Sequence, residues 1–410
     1  MKNKVIIVFF ILSSFLFSAP KKIIEKYDNG KKRAEGFVEN LAKNGYWIFY
    51  WEDGKTKQAE GLFQNDMRTG IWTFYYDNGK PKRKGEFKNN KEDGIWESFH
   101  ENGIISSKGL YKDGLQQGEW VFFSSDNKLV LKGVFENGKK TGVWESFFPS
   151  GKLKEKQNWI TNKKNGLWQT YDEEGNLLSE VTWKNDIQEG PFKEFYPSGT
   201  VKVTGQFLNG LKNGEFISYY ENGKVSSKIL WKDDKKDGVA EQYYNDGSLQ
   251  LKGSYKDDQR TGKWIQYDKN GTIISEGLFE EGRKKGEWIE FDTSKKLKLT
   301  GVYQNGRKDG IWKYYDLSGN LVKELTFKSG KVSGKARFYE NGKLVVEAEM
   351  SGLEDEPVFN GSYVSFYPNG NKKEKGTYKQ GEKHDLWQSY DENGNPKGPP
   401  VKYILGKPYE

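Results

Sequence analysis

The chain has 410 residues, 34% of them apolar and 30% charged, with aromatic residues alone making up 15%. So many rings exclude a disordered chain, which is poor in aromatics, and so few aliphatics exclude a deep aliphatic core. The net charge of +8 comes from interleaved basic and acidic residues, without the basic stripe of a nucleic-acid binder, and the lack of cysteine excludes disulfides, thiol catalysis and cysteine-based metal sites.

Residues 1–19 read as a signal peptide. Met1–Lys4 is a short basic segment, Val5–Phe17 is almost unbroken apolar sequence, and Ser18 and Ala19 are small. This order is that of a secretory signal, and the run is too short for an ordinary transmembrane helix. Cleavage is expected near Ala19, although Pro20 and the bulky Phe17 depart from the usual pattern. Loss of Lys2 and Lys4 lowers the net charge to +6. With no cysteine to carry lipid, the product is expected to be exported to the periplasm, cell surface or medium, and not as a lipoprotein. No second apolar run approaches membrane-spanning length.

After an N-terminal half-repeat over 20–44, an array of repeats fills 45–398. Its marker is a glycine followed two places later by a ring, as in Gly70-Ile71-Trp72 and Gly94-Ile95-Trp96. The marker recurs every 24 residues from Gly70 to Gly334, with further copies at Gly45, Gly361 and Asp385, which makes fifteen. Two places after the marker the residue is aromatic except at Ala240 and Ala336. Five places after it a ring stands in every copy, from Tyr50 to Tyr390, and is expected to join one copy to the next.

A turn follows, such as Asp77-Asn78-Gly79 or Glu221-Asn222-Gly223. Asn-Gly between ring-rich runs signals a hairpin of type I′, whose central residues both need positive φ. Asn127 and Lys295 replace that glycine in two copies, and a longer or distorted turn is expected at Lys295. A second strand then carries a glycine and a ring two places on, as at Gly85 and Phe87. A ring from the neighbouring strand can cover the gap left by such a glycine. Where this glycine is missing the ring is often the largest, as at Trp159, Trp183 and Trp231. A second polar turn, such as Asn137-Gly138, leads to the next copy.

Short turns between strands require antiparallel pairing. The fold class is therefore all-β: an elongated array of antiparallel hairpins, a twisted meander or solenoid-like ribbon. About thirty strands would span on the order of 140 Å before twist, coiled by the right-handed twist of the strands. Rings two and five places after the marker would face opposite sides of a regular strand. Either both faces carry aromatics or a bulge flips the register. Glu354–Pro357 reads as an enlarged loop, and 399–410 as a C-terminal cap or tail.

Units such as Tyr367-Pro368-Asn369-Gly370 and Tyr220-Glu221-Asn222-Gly223-Lys224, with the Gly-x-Trp marker, resemble the MORN-repeat variant family over about residues 25–398. Bacterial members are often labelled YwqK-type antitoxins, a role that conflicts with an export signal. The resemblance implies an elongated sheet of hairpins used for protein–protein or membrane-lipid contacts, and it carries over no catalytic residue.

Nothing else in the sequence points to an enzyme. His100 and His384 are nearly the length of the array apart, and His100 takes a place that several copies fill with Tyr. Asp391, Asn393 and Asn395 imitate the start of a calcium loop, but Pro396 and Lys402 replace its essential glycine and closing glutamate. There is no phosphate-binding glycine loop and no nucleophile elbow. No catalytic, cofactor or metal residue is therefore expected. The function expected is an exported scaffold for an unidentified protein partner at the cell envelope or surface. The alternative is a repeat protein binding cell-wall glycan or an anionic lipid surface. No nucleic-acid partner is expected. Exposed rings forming slots between copies would favour a glycan, and buried rings with a variable polar face would favour a protein.

Overall fold

The computed structural model describes residues 19–292 and 294–409. The expected signal peptide lies outside the described residues except for Ala19, which with Pro20 is exposed just before the first strand, Lys21–Lys26. No described residue is helical. The chain divides into two compact units, one ending at Glu189 and the other beginning at Gly190. The unbroken 24-residue period gives no sign of this division. Within each unit, successive strands pair antiparallel with their sequence neighbours, as Met67–Tyr75 does with Pro81–Lys88 and Arg307–Tyr315 with Leu321–Lys328. The hairpin array expected from the sequence is the observed fold.

A bulge at the marker glycine organises each copy. Lys84 pairs with Glu97 and Glu86 with Asp93, so Gly85 alone lies opposite Gly94, Ile95 and Trp96. Gly94 takes φ +76°, in the left-handed region that a side chain resists. The bulge tips Trp96 flat across Gly85, where an added Cβ would lie 2.2 Å from the indole. The indole N–H donates to Glu86 O at 3.0 Å, beside the bulge. The same arrangement joins Gly61 to Trp72, Gly133 to Trp144 and Gly301 to Trp312. Each indole is therefore floored by the glycine of the preceding hairpin and loses nearly all solvent contact.

The two alanines in the ring position follow from this packing. Ala240 pairs with Ile229 and Ala336 with Leu325, in both cases where a glycine normally underlies the ring. Ala240, Ala336 and Leu325 are all buried. The volume has moved from one strand to the next. Gln157 is a partial case: Trp168 still donates to Asn158 O at 3.0 Å but remains half-buried. In the second unit Leu325, Val332 and Met350 join Trp288, Trp312 and Phe327 in a local aliphatic–aromatic core, which the overall composition does not suggest.

Both faces of the sheet carry rings. Trp72 contacts Phe49, Phe63, Phe74 and Phe87 on one face. Tyr75 bonds through its hydroxyl to Glu60 on the other. Rings five places after the marker are therefore not the main joint between copies. Tyr219, one of them, is only half-buried.

The turns exchange the roles expected of them. In Tyr76–Gly79 only Gly79 has positive φ, and the turn closes through Gly79 N–H to Tyr76 O at 3.0 Å and Tyr76 N–H to Lys80 O at 2.9 Å. This is a type I turn ended by a left-handed glycine. Asn78 serves through its side chain, accepting from Lys80 N–H at 2.9 Å and donating to Glu101 O in the next copy. The I′ geometry lies instead in the second turn, where both residues have positive φ, as in Asn65-Asp66 and Asp257-Asp258. The copy holding Lys295 keeps a turn of ordinary length. Lys295 takes φ +66° and its N–H bonds Asp292 O at 3.1 Å, while Asp292 Oδ1 accepts from Ser294 and Lys296. Self-capping by Asp292 holds lysine in a conformation it disfavours.

Two outcomes are expected. Lys295→Gly relieves the left-handed lysine and stabilises its copy by about 1 kcal/mol, read as slower local hydrogen exchange. Gly133→Leu alone overpacks the site at a cost of about 1–3 kcal/mol, and Trp144→Ala alone costs about 3–5 kcal/mol. The double variant, which copies the Leu325/Ala336 pair, recovers part of that loss, and hydrogen exchange confines the change to the neighbouring copies. A strictly additive double variant would refute the volume exchange.

Candidate functional site

Of the positions singled out from the sequence for chemistry, His100 and the Asp391 segment have local work. His100 Nε2 contacts Phe123 O at 2.9 Å, matching the bond from the Tyr76 hydroxyl to Phe99 O at 2.7 Å. Tyr196, Tyr220 and Tyr244 repeat it, each tying its turn to the next copy. His384 lies half-buried in the other unit, its Nδ1 without a hydrogen bond. Asp391 Oδ1 accepts from the N–H groups of Asn393 and Asn395 at 3.0 and 2.8 Å, so the calcium-like segment is a self-capped turn like that at Asp316. Tyr at this place bolts a turn to its neighbour, whereas Asp closes its own.

The side chains not consumed by this packing lie on two faces. On the face opposite the indoles, cross-strand pairs such as Glu97–Lys108 at 3.0 Å and Glu241–Lys252 at 3.0 Å alternate with exposed aliphatics including Ile71, Ile95, Val239 and Ile311. Near the start of the first unit, Glu35 accepts from Tyr50 at 2.5 Å and from Lys32 at 3.0 Å. The Tyr50 hydrogen bond, with help from Lys32, holds the Glu35 carboxyl down to about 2. Burial, then the carboxylate, pushes the Tyr50 hydroxyl up to about 12.

The indole face carries a feature the sequence reading missed. Two places before the marker most copies have Lys or Arg, and its cation lies over the rings. In the first unit Lys140 Nζ is 4.3 Å from the Trp144 centroid and Lys164 Nζ is 4.6 Å from that of Trp168. In the second, Arg260 lies 4.4 Å from Trp264 and Lys284 4.0 Å from Trp288. Burial pushes the Lys140 and Lys284 ammonium groups down from their ordinary value. The signal was present as a 24-residue recurrence of basic residues, but single lysines in a charged chain look like solvated surface. A cleft of about 400 Å³ lies between Arg260 and Lys284, lined also by Trp264, Phe279, Trp288 and Glu290.

Three of these cations meet a carboxylate of the chain itself: Lys43 meets Glu25 at 3.6 Å, Lys383 meets Glu374 at 3.5 Å, and Lys308 meets Glu354. The enlarged loop at Glu354 folds back so that its carboxylate pairs with Lys308 and accepts from the Tyr314 hydroxyl at 2.7 Å. Burial, then Glu354, pushes the Tyr314 hydroxyl far up. Burial opposes ionisation of Glu354, yet the Lys308 and Tyr314 bonds keep its carboxyl below the usual range.

The sequence matches the MORN repeat variant over ten segments, the first 68–89 and the last 359–380, together more than half of the chain. The chain belongs to the MORN repeat variant family. The MORN-variant copies at Gly118 and Gly286 fall outside the matched segments but share the geometry, with Trp120 and Trp288 bonding Leu110 O and Leu278 O at 3.2 and 3.1 Å. No curated protein matches the sequence. Solved structures that resemble it include a TcdB2-TccC3-TEV crystal structure, at 11% identity and TM-score 0.16, with 94% of this chain and 22% of that one covered. Another is the Photorhabdus luminescens Tc holotoxin pore, at 10% identity and TM-score 0.16, with 92% and 26% covered. The chain thus spans about a quarter of those chains or less, and overlap at this level bears on neither its fold nor its function. Among the described residues, no helix is long and apolar enough to cross a membrane.

The Glu35–Tyr50 pair sets a pH dependence. A carboxyl held at about 2, against an ordinary 4.5, stabilises the first copies fully above pH 4.5, and this contribution is lost as pH falls to about 2. The Tm difference between wild type and Glu35→Gln should therefore shrink across that window. In the alkaline range, the tyrosine contribution is full below pH 10 and is lost as pH rises to about 12. A difference that stayed constant down to pH 2 would show that the carboxylate is not stabilising.

Proposed function

We propose that this protein is an exported, non-enzymatic MORN-variant scaffold that holds a protein partner at the cell envelope or surface. The observation that carries this reading is the fate of the recurrent indoles. Except for Trp168 beside Gln157, they lie flat on glycines with almost no exposed surface, so they are not free to stack on sugar rings, and this weighs against the glycan alternative. What varies between copies, and remains accessible, is mainly polar, charged or singly aliphatic, with exposed rings confined to the ends of the described chain, at Phe37, Tyr46 and Tyr409. That surface suits a protein partner, for which charge complementarity sets specificity and rate of encounter. Export is supported by the basic, apolar and small-residue order of Met1–Ala19, and it is why a cytoplasmic antitoxin role is not adopted.

N-terminal sequencing of the protein from its native cell should begin near Pro20. Crosslinking on intact cells should capture a defined protein with the array. Protein that retains Met1 in the cytoplasm would overturn the export part of the reading. Retention of purified wall glycan, without any protein crosslink, would overturn the scaffold part.

A further inference from the structure

We propose that the basic row formed by Lys212, Lys236, Arg260 and Lys284 is a docking track for an extended acidic segment of the partner protein. The proposal rests on the scaffold reading and adds which face binds and what chemistry it recognises. Four consecutive copies of the second unit place a cation two residues before the marker, on the indole face. Lys212 lies 4.7 Å from the Trp231 centroid and Lys236 5.1 Å from that of Tyr255. Arg260 and Lys284 lie still closer to Trp264 and Trp288. Ring contact orients the charges and removes part of their water. Among the described residues none of the four side chains forms an ion pair, and Glu290 shares the cleft between Arg260 and Lys284 without pairing with either.

The next cation in the row shows what fits. Lys308 is met by a carboxylate from the chain's own acidic run, Glu354-Asp355-Glu356, and Tyr314 donates to the same carboxylate. A glutamate side-chain carboxylate thus already sits on the row at this position. Spacing narrows the ligand further. Copies are two strands apart, so cations recur at about 9.6 Å. A polyproline II segment turns once in three residues, about 9.3 Å, and presents every third side chain on one side. The matching ligand is an extended chain with an acid at every third position.

The test titrates the full-length protein with a fluorescein-labelled peptide of four Glu-Pro-Pro triplets. The control is a peptide of the same composition with its four glutamates adjacent. The spaced peptide should bind more tightly than the control, and Lys212→Gln/Lys236→Gln/Arg260→Gln/Lys284→Gln should weaken it about tenfold, the sum expected of several exposed charge contacts. Glu354→Gln, which frees Lys308 and leaves the four cations intact, should tighten it. If the quadruple variant does not fold, unchanged affinity in Glu354→Gln overturns the proposal. Equal binding of the two peptides also overturns it. So does binding of wild type to polygalacturonate, or to vesicles of equal parts phosphatidylcholine and phosphatidylserine, at least as tightly as to the spaced peptide. A crosslinked partner held equally by wild type and the quadruple variant would remove the track while leaving the scaffold reading. Absence of any protein crosslink would remove the scaffold reading whatever the peptides did.

Discussion

An indole laid flat on the backbone of the preceding hairpin is the contact on which most copies depend. Trp96 can reach Gly85 because the bulge at Gly94 turns its strand, and it can lie down because Gly85 has no Cβ. The same ring closes the hydrogen bond beside the bulge. One side chain thus supplies the buried area, satisfies a backbone carbonyl and fixes the register between copies. Since a ring of this size buries about 150–250 Å², a chain poor in aliphatics can still be held together.

The contact is one of volume more than of residue type. Ile229 over Ala240 and Leu325 over Ala336 fill the same space from the opposite strand. In the second copy of that kind Val332 also takes the place of the cation, and the surroundings become a continuous apolar cluster. Neighbouring copies thus constrain each other pairwise. This is the condition for stability that adds along a repeat array.

Because the rings are consumed in this packing, the positions around them carry the difference between copies. Cations two places before the marker border the indoles, and cross-strand ion pairs and scattered aliphatics occupy the other face. Exposed single ion pairs add little stability, so these positions are free to serve recognition. Glu354 on Lys308 shows that a distant carboxylate can settle on the basic row.

The sequence by itself determined the period, the antiparallel hairpins, the family and the pairing of a glycine gap with a covering ring, because these depend on local spacing and on residue size. It also placed His100 correctly with the tyrosines, by position in the repeat. It left open whether the rings lie on one face or two, and it assigned positive φ to the wrong half of the turn pair. Asn78 and Asn65 are the same residue type in short polar turns, and only the hydrogen-bond closure tells a type I turn ended by Gly79 from an I′ turn. The meaning of Ala240 also needed the structure, since its partner Ile229 is defined by the register across a bulge. The basic row and its occupant Glu354 were decided by tertiary structure alone: a lysine becomes a site only when rings lie beneath it, and a loop 46 residues away finds Lys308 only once the hairpins between them have folded.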